Sequence, residues 1–246
     1  MKNLLIVLIF GLIPLLANAS SEGIKNMKAD IDLHNKSSLQ RGARLFTSYC
    51  LSCHSAAYMR YNRMGADLGL TDKQVKKNLM FASDKVGDTM TVAMTKDDAK
   101  NWFGTKVPDL TLVARSRGPD WLYTYLMTFY TDASRPWGVN NARFPSVGMP
   151  DVLWELEGLK RPVFKAHLDH AGHEEKTLVG YETVAPGKLS AVQFKDTVTD
   201  LVNYLTYMGE PIKLERQRWG IVAMLFLALL FVVAYALKKE YWKDIH

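Results

Sequence analysis

Cys50-Leu51-Ser52-Cys53-His54 is the stretch from which the rest of the chain can be read. C-x-x-C-H is the attachment pattern of a c-type haem. Two thiols separated by two residues can add to the two vinyl groups along one edge of a porphyrin, and the next residue then lies under the iron as proximal ligand. Cys50 and Cys53 are the only cysteines in 246 residues, so a disulfide-stapled scaffold is excluded. A thioredoxin-like pair wants a βαβ context and usually lacks the trailing histidine, while a zinc site wants a second ligand pair that is missing. The spacing therefore predicts one covalently bound c-type haem, held by Cys50 and Cys53, with His54 on the iron.

Upstream, Leu39, Gly42, Ala43, Phe46, Tyr49 and Cys50 recur at helical spacing, with Ser37 or Ser38 as the expected N-cap. Gly42 permits a close helix crossing beside Phe46. Far downstream, Phe194, Val198, Leu201, Leu205 and Met208 form a second apolar stripe at steps of four and three. Two such helices crossing over a haem resemble a cytochrome c core. Pro119 and Asp120 open a third helix that carries Trp121, Leu122, Tyr125, Leu126 and Phe129. The expected fold is mainly α, a cytochrome c-like haem domain with long loops and no internal repeat.

A sixth iron ligand is needed for fast electron transfer, whereas catalysis needs an open position. Met149 is the candidate, in Phe144-Pro145-Ser146-Val147-Gly148-Met149-Pro150. Gly148 lets backbone approach the porphyrin, and two prolines stiffen the loop. Met59, Met64, Met80, Met90, Met94, Met127 and Met208 read as core filler.

Both ends are apolar. Residues 1–19 combine Lys2, an apolar run from Leu4 to Leu16 and Ala17-Asn18-Ala19, the pattern of a cleaved secretory signal peptide rather than an uncleaved anchor. Residues 219–237 are free of charge and long enough to cross roughly 30 Å of hydrocarbon as one C-terminal transmembrane helix. Trp219, Tyr241 and Trp242 sit at its edges as interfacial anchors do. Basic residues balance across it, so the export signal sets the orientation: the domain 20–212 outside, residues 213–218 beside the membrane, and the tail 238–246 in the cytoplasm.

The formal charge of +6 suggests an acidic partner or nucleic acid until it is partitioned. Of 31 basic and 25 acidic residues, one basic residue lies in the leader, and six basic and three acidic ones lie from 213 onward. The exported domain keeps 24 basic and 22 acidic residues. It is nearly neutral, and no nucleic acid is expected as a partner.

Several elements in order carry a specific resemblance: the leader, C-x-x-C-H, Pro108-Asp109-Leu110-Thr111, Ala114-Arg115-Ser116-Arg117-Gly118, the F-P…G-M-P loop, and an anchor after Gly209-Glu210-Pro211. Together they resemble the cytochrome c1 family, the haem subunits of quinol:cytochrome c oxidoreductases, most closely the bacterial forms. The resemblance covers essentially the whole mature chain. It implies that Cys50 and Cys53 hold the haem, His54 and Met149 ligate iron, and Arg117 pairs with a propionate as a buried guanidinium. Trp121 stands where family members often have an aromatic near the propionates. Val107 before Pro108, and Asp151-Val152 after Pro150, depart from the family's proline-richer pattern.

The resemblance further implies electron transfer from a Rieske iron–sulfur protein to a soluble cytochrome c, with cytochrome b as neighbour, in a dimeric complex of the bacterial inner membrane with the haem domain in the periplasm. No residue is assigned as a general acid, base or nucleophile. Two alternatives carry the same haem motif: an anchored peroxidase-like enzyme with an open iron position, and an electron shuttle serving a terminal oxidase. His167, His170 and His173 recur at steps of three, but Gly172 interrupts any helix that would align them, and the segment reads as a solvated loop.

Overall fold

The computed structural model describes residues 24–168 and 174–243. Its organising contact is a helix crossing. Helix α1, Lys36–Leu45, runs into a π-helical turn, Phe46–Cys50, which delivers Cys50 to the core. The long helix α8, Ala191–Gly209, passes directly over Gly42. A Cβ on Gly42 would lie 2.0 Å from the Asp200 carbonyl oxygen and 2.6 Å from Cβ of Tyr204, so only glycine admits this approach. Phe46 packs against Tyr204 at 5.6 Å between ring centroids, and Phe194, Val198, Leu201, Leu205 and Met208 are all buried, as their spacing predicted.

Polar groups fix the crossing in register. Arg41 makes a two-point contact with Asp200, at 2.5 and 2.9 Å. Arg41 is largely exposed, so this pair contributes no more than about 1 kcal/mol and serves mainly as alignment. The buried Asn203 donates to the Ser38 hydroxyl at 2.9 Å and to the Asp32 carbonyl at 2.8 Å. That use of Ser38 explains a correction: Asn35, not Ser37 or Ser38, caps α1, accepting from Ser38 N at 3.0 Å. Helix α8 starts in a capping box of Ser190 with Gln193.

Between these helices the chain lays down β1 (Ala56–Arg60), α2 (Tyr61–Leu68), α3 (Asp72–Asn78), β2 (Thr89–Met90) and α4 (Lys96–Phe103). There follow α5 (Val113–Arg117), α6 (Pro119–Met127), β3 (Phe129–Thr131), β4 (Val139–Asn141) and α7 (Trp154–Glu157). Pro119 stands at the first position of α6, after a Gly118 at φ +89° that reverses the chain. Phe129 falls past the helix end, on β3. Helices α5 and α6 pack on α8, and the segment before α1 is strapped to α6 by Met27 N to Thr124 and Ala29 N to Asp120.

About half of the described residues are helical, in keeping with a mainly α cytochrome c-like fold. One large element departs from the expected loops. Strands β5 (Gly158–Leu168) and β6 (Glu174–Pro186) form a long antiparallel hairpin lying against β3. His167 therefore lies on a strand, while His170 and His173 fall outside the described residues. The signal peptide 1–19 falls outside them as well.

Helix α9, Lys213–Tyr241, follows the turn Glu210-Pro211-Ile212; from Trp219 to Leu237 it is apolar and exposed, and it is long enough to cross a membrane. It begins at Lys213, so the juxtamembrane residues 213–218 belong to the same helix. Glu210 accepts from Arg216 at 2.5 Å, bracing the turn between α8 and α9.

Candidate haem site

The cysteine turn is closed by its own backbone: Cys53 N and His54 N both donate to the Cys50 carbonyl, at 3.1 and 2.8 Å. This turns the His54 ring toward residues that are distant in sequence. Its Nδ1 lies 2.8 Å from the Pro108 carbonyl oxygen. A carbonyl only accepts, so Nδ1 carries the proton and Nε2 is left as the free ligand atom. Burial holds the His54 pKa below its usual value, against the Pro108 carbonyl and the Asp109 carboxylate, and the ring is accordingly the neutral form that can bind metal. Asp109 pins this arrangement by accepting from Ala57 N and from Thr111 N, both at 2.8 Å. The Pro108-Asp109-Leu110-Thr111 element thus acts as the brace of the histidine. Cys50 is buried, which pushes its thiol up to about 12.

Met149 comes from the loop after β4. Its Sδ lies 3.4 Å from the Tyr125 hydroxyl. Burial raises the Tyr125 pKa, so the phenol keeps its proton and donates to sulfur. Tyr125 stacks on Trp121 at 5.1 Å and 9° between planes, one helical turn away on α6. Above Trp121 sit two guanidinium groups, Arg117 at 5.2 Å and Arg143 at 5.9 Å. Arg117 ends α5 just before the chain reverses at Gly118, and it lines the same cavity as Met149.

Two adjacent asparagines hold the loop that carries Met149. Asn141, wholly buried, accepts from Arg143 N at 2.9 Å and Phe144 N at 3.0 Å and donates to the Tyr125 carbonyl at 2.7 Å. Asn140 accepts from Ser146 N at 2.9 Å. A side chain on Gly148 would meet Thr105 at 3.0 Å, so the tight approach at this glycine is to α4's trailing loop.

Cys50, Cys53, His54, Arg117, Trp121 and Met149 all line one cavity of about 620 Å³, within the roughly 300–1,000 Å³ typical of cofactor pockets. Its walls are mainly apolar, with Leu201 and Leu205 of α8 and Phe144 of the ligand loop. A two-thiol edge, a free imidazole nitrogen, a thioether and a cationic, aromatic side are the donor set of a covalently attached haem, so the residues present fit the group. A shallower concavity beside α3, lined by Asp72, Lys73, Lys76, Lys77 and Val86, contains none of these residues.

Comparison with known proteins bears on this cavity. The profile of the Cytochrome C1 family matches residues 26–157 and 177–245. The chain belongs to the cytochrome c1 family. It is 49% identical to cytochrome c1 of Allochromatium vinosum over 246 residues, all of both chains. It is 43% identical over 235 residues to a Nitrosomonas europaea protein named ammonia monooxygenase gamma subunit, covering 96% of this chain and 95% of that one. Cytochrome c1 of Rhodospirillum rubrum is 25% identical over 265 residues, 93% of this chain and 92% of the relative. Cytochrome c1 proteins carry one covalently attached c-type haem and are haem electron-transfer subunits of the cytochrome bc1 complex. The apolar α9 fits the membrane anchor of such a subunit.

Four residues of the site escaped the sequence reading as site residues: Pro108, Tyr125, Asn141 and Arg143. Tyr125 had a legible signal, since it stands four residues after Trp121 on one helix face. The Pro108 carbonyl had none, because a backbone acceptor is independent of residue type.

Proposed function

We propose that this cytochrome c1 takes electrons from a Rieske iron–sulfur protein and passes them to a soluble cytochrome c, beside cytochrome b in a dimeric complex. When bound, the haem iron supplies one-electron chemistry, accepting and releasing an electron without bond breaking. The chain's own residues do the rest. Cys50 and Cys53 fasten the porphyrin, His54 presents Nε2 while Pro108 holds its Nδ1 proton, and Met149 presents sulfur with Tyr125 behind it. Arg117 and Trp121, on the cavity wall, would hold the propionate side of the group.

The observation that carries this reading is the convergence of His54 and Met149 on one cavity from loops 95 positions apart, each already hydrogen-bonded from behind. Ligands held in that way need not rearrange when charge on the metal changes. That favours electron transfer over substrate chemistry, which needs an open position.

Cleavage after residue 19 would leave residues 20–212 in the periplasm, 213–218 at the bilayer surface, 219–237 across the inner membrane and 238–246 in the cytoplasm. Purification from native membranes in mild detergent tests the assembly: cytochrome b and the Rieske protein should co-purify with this chain. Their absence from the intact complex sinks the proposed partners.

A further inference from the structure

One arginine joins the ligand loop to the turn ahead of it. Arg135 lies between β3 and β4, in a turn closed by Arg135 N to the Asp132 carbonyl at 3.1 Å and Gly138 N to the Arg135 carbonyl at 2.9 Å. Its Nη2 donates to the Ser146 carbonyl at 2.8 Å and to the Val147 carbonyl at 3.3 Å, three and two residues before Met149.

Ser146 has φ +62°, the only positive φ at a non-glycine among the described residues. Crowding between Cβ and the carbonyl disfavours that conformation for an L-residue, which persists only where its surroundings hold it. The guanidinium binds the carbonyl of this residue and of the next. Asn140 holds its N–H from the other side at 2.9 Å.

Arg135 serves no other visible partner. Its Nε is buried without a hydrogen bond, and it forms no ion pair among the described residues. Asp132 lies close enough to feel the charge, but its oxygens are taken by Ser134 and Asn140. A partly desolvated guanidinium with no carboxylate is costly to keep, and a surface charge would not be placed so. Bracing the loop backbone accounts for the two carbonyl contacts of Nη2 and for the strained serine together.

We propose that Arg135 is a positioning residue for Met149. Its guanidinium holds Ser146 in the left-handed conformation and so sets where the thioether sulfur is presented. The inference rests on Met149 being the sixth ligand.

The test compares haem-loaded, full-length R135Q, R135K and R135Q/S146G with the parent, with M149L as reference and R161Q, which breaks the exposed Arg161–Glu182 ion pair between β5 and β6, as control. The readouts are the sulfur-to-iron charge-transfer band of the ferric haem, the reduction potential, carbon monoxide binding and the thermal midpoint. R135Q and R135K should both weaken the band, lower the potential and bind carbon monoxide about 10-fold faster or more. S146G should restore part of the band to R135Q, because glycine adopts positive φ without strain. R161Q should change none of the three haem readouts. An unaltered band and potential in R135Q with a lowered thermal midpoint would show a merely structural role. A potential lowered in R135Q but not in R135K, with the band intact in both, would show a charge effect; either result overturns the proposal. If M149L itself keeps the band, the ligand assignment fails, and this inference with it.

Discussion

The Tyr125 hydroxyl donates to the sulfur of Met149 at 3.4 Å, linking α6 to the loop that carries the proposed iron ligand. The donor is held in place by its stack on Trp121 and by an edge contact with Phe129 at 5.2 Å. A proton directed at sulfur withdraws electron density from a thioether ligand, which disfavours the ferric state.

Tyr125→Phe keeps the stack and removes the donor. The reduction potential should fall, by no more than about 59 mV, equivalent to tenfold in a one-electron equilibrium. Spectroelectrochemical titration reads this directly, and an unchanged or raised potential refutes the role of the hydroxyl.

Met149→Leu is close in volume but cannot ligate. The potential should drop further than in Tyr125→Phe, and the ferrous iron should become open to carbon monoxide. Retention of the parent potential would mean that another residue is the ligand.

Gly42→Ala puts a methyl group 2.0 Å from a backbone oxygen of α8. Backbone cannot move aside as a side chain tip can, so the loss should reach the upper part of the roughly 1–3 kcal/mol range for overpacking, or exceed it. Gly87→Ala, where nothing lies within 4 Å of the added carbon, should leave stability nearly unchanged. Thermal unfolding followed by circular dichroism distinguishes the two.

The buried Glu157 should give the protein an unusual pH dependence. Burial pushes its carboxyl up to about 7, the nearby Asp151 adds to the rise, and its ion pair with Lys160 opposes it. Lys160 is itself shared with the Met127 carbonyl at 2.7 Å and the face of Tyr181 at 4.7 Å. The folded state therefore holds this proton above the unfolded value of 4.5. Stability from this group is complete below that value and is lost as pH rises through about 7, opposite to an ordinary paired carboxylate. In Glu157→Gln the fall in denaturant midpoint between pH 5 and about 7.5 should shrink. An identical slope in parent and variant would show that Glu157 is not the group.

Much of this protein was legible from residues alone where the signal is local. C-x-x-C-H named the cofactor because covalent attachment depends on spacing within five residues. The stripes ending at Cys50 and running from Phe194 to Met208 identified the two crossing helices, since a buried helix face must repeat at 3.6 residues. The uninterrupted apolar run from Trp219 marked α9 as a candidate membrane span, because a helix that crosses hydrocarbon is apolar on every face. The hairpin was illegible because Val184 and Val179 bulge out of the pairing on β6 and break the two-residue alternation that marks a strand. Asn35 was passed over as a cap because Ser37 and Ser38 satisfy the same preference, while in the fold Asn35 accepts from Ser38 N and the Ser38 hydroxyl is taken by Asn203.

Tertiary structure alone decided how the ligands are held. Pro108 lies 54 residues from His54, Tyr125 lies 24 from Met149, and Arg135 lies 11 from Ser146. Such contacts leave no periodic trace, since each joins one atom to another across a closed loop of chain. A candidate ligand is marked by its side chain, which the sequence displays. Its tautomer, its hydrogen-bond partner and the strain in its backbone belong to whatever the fold places behind it.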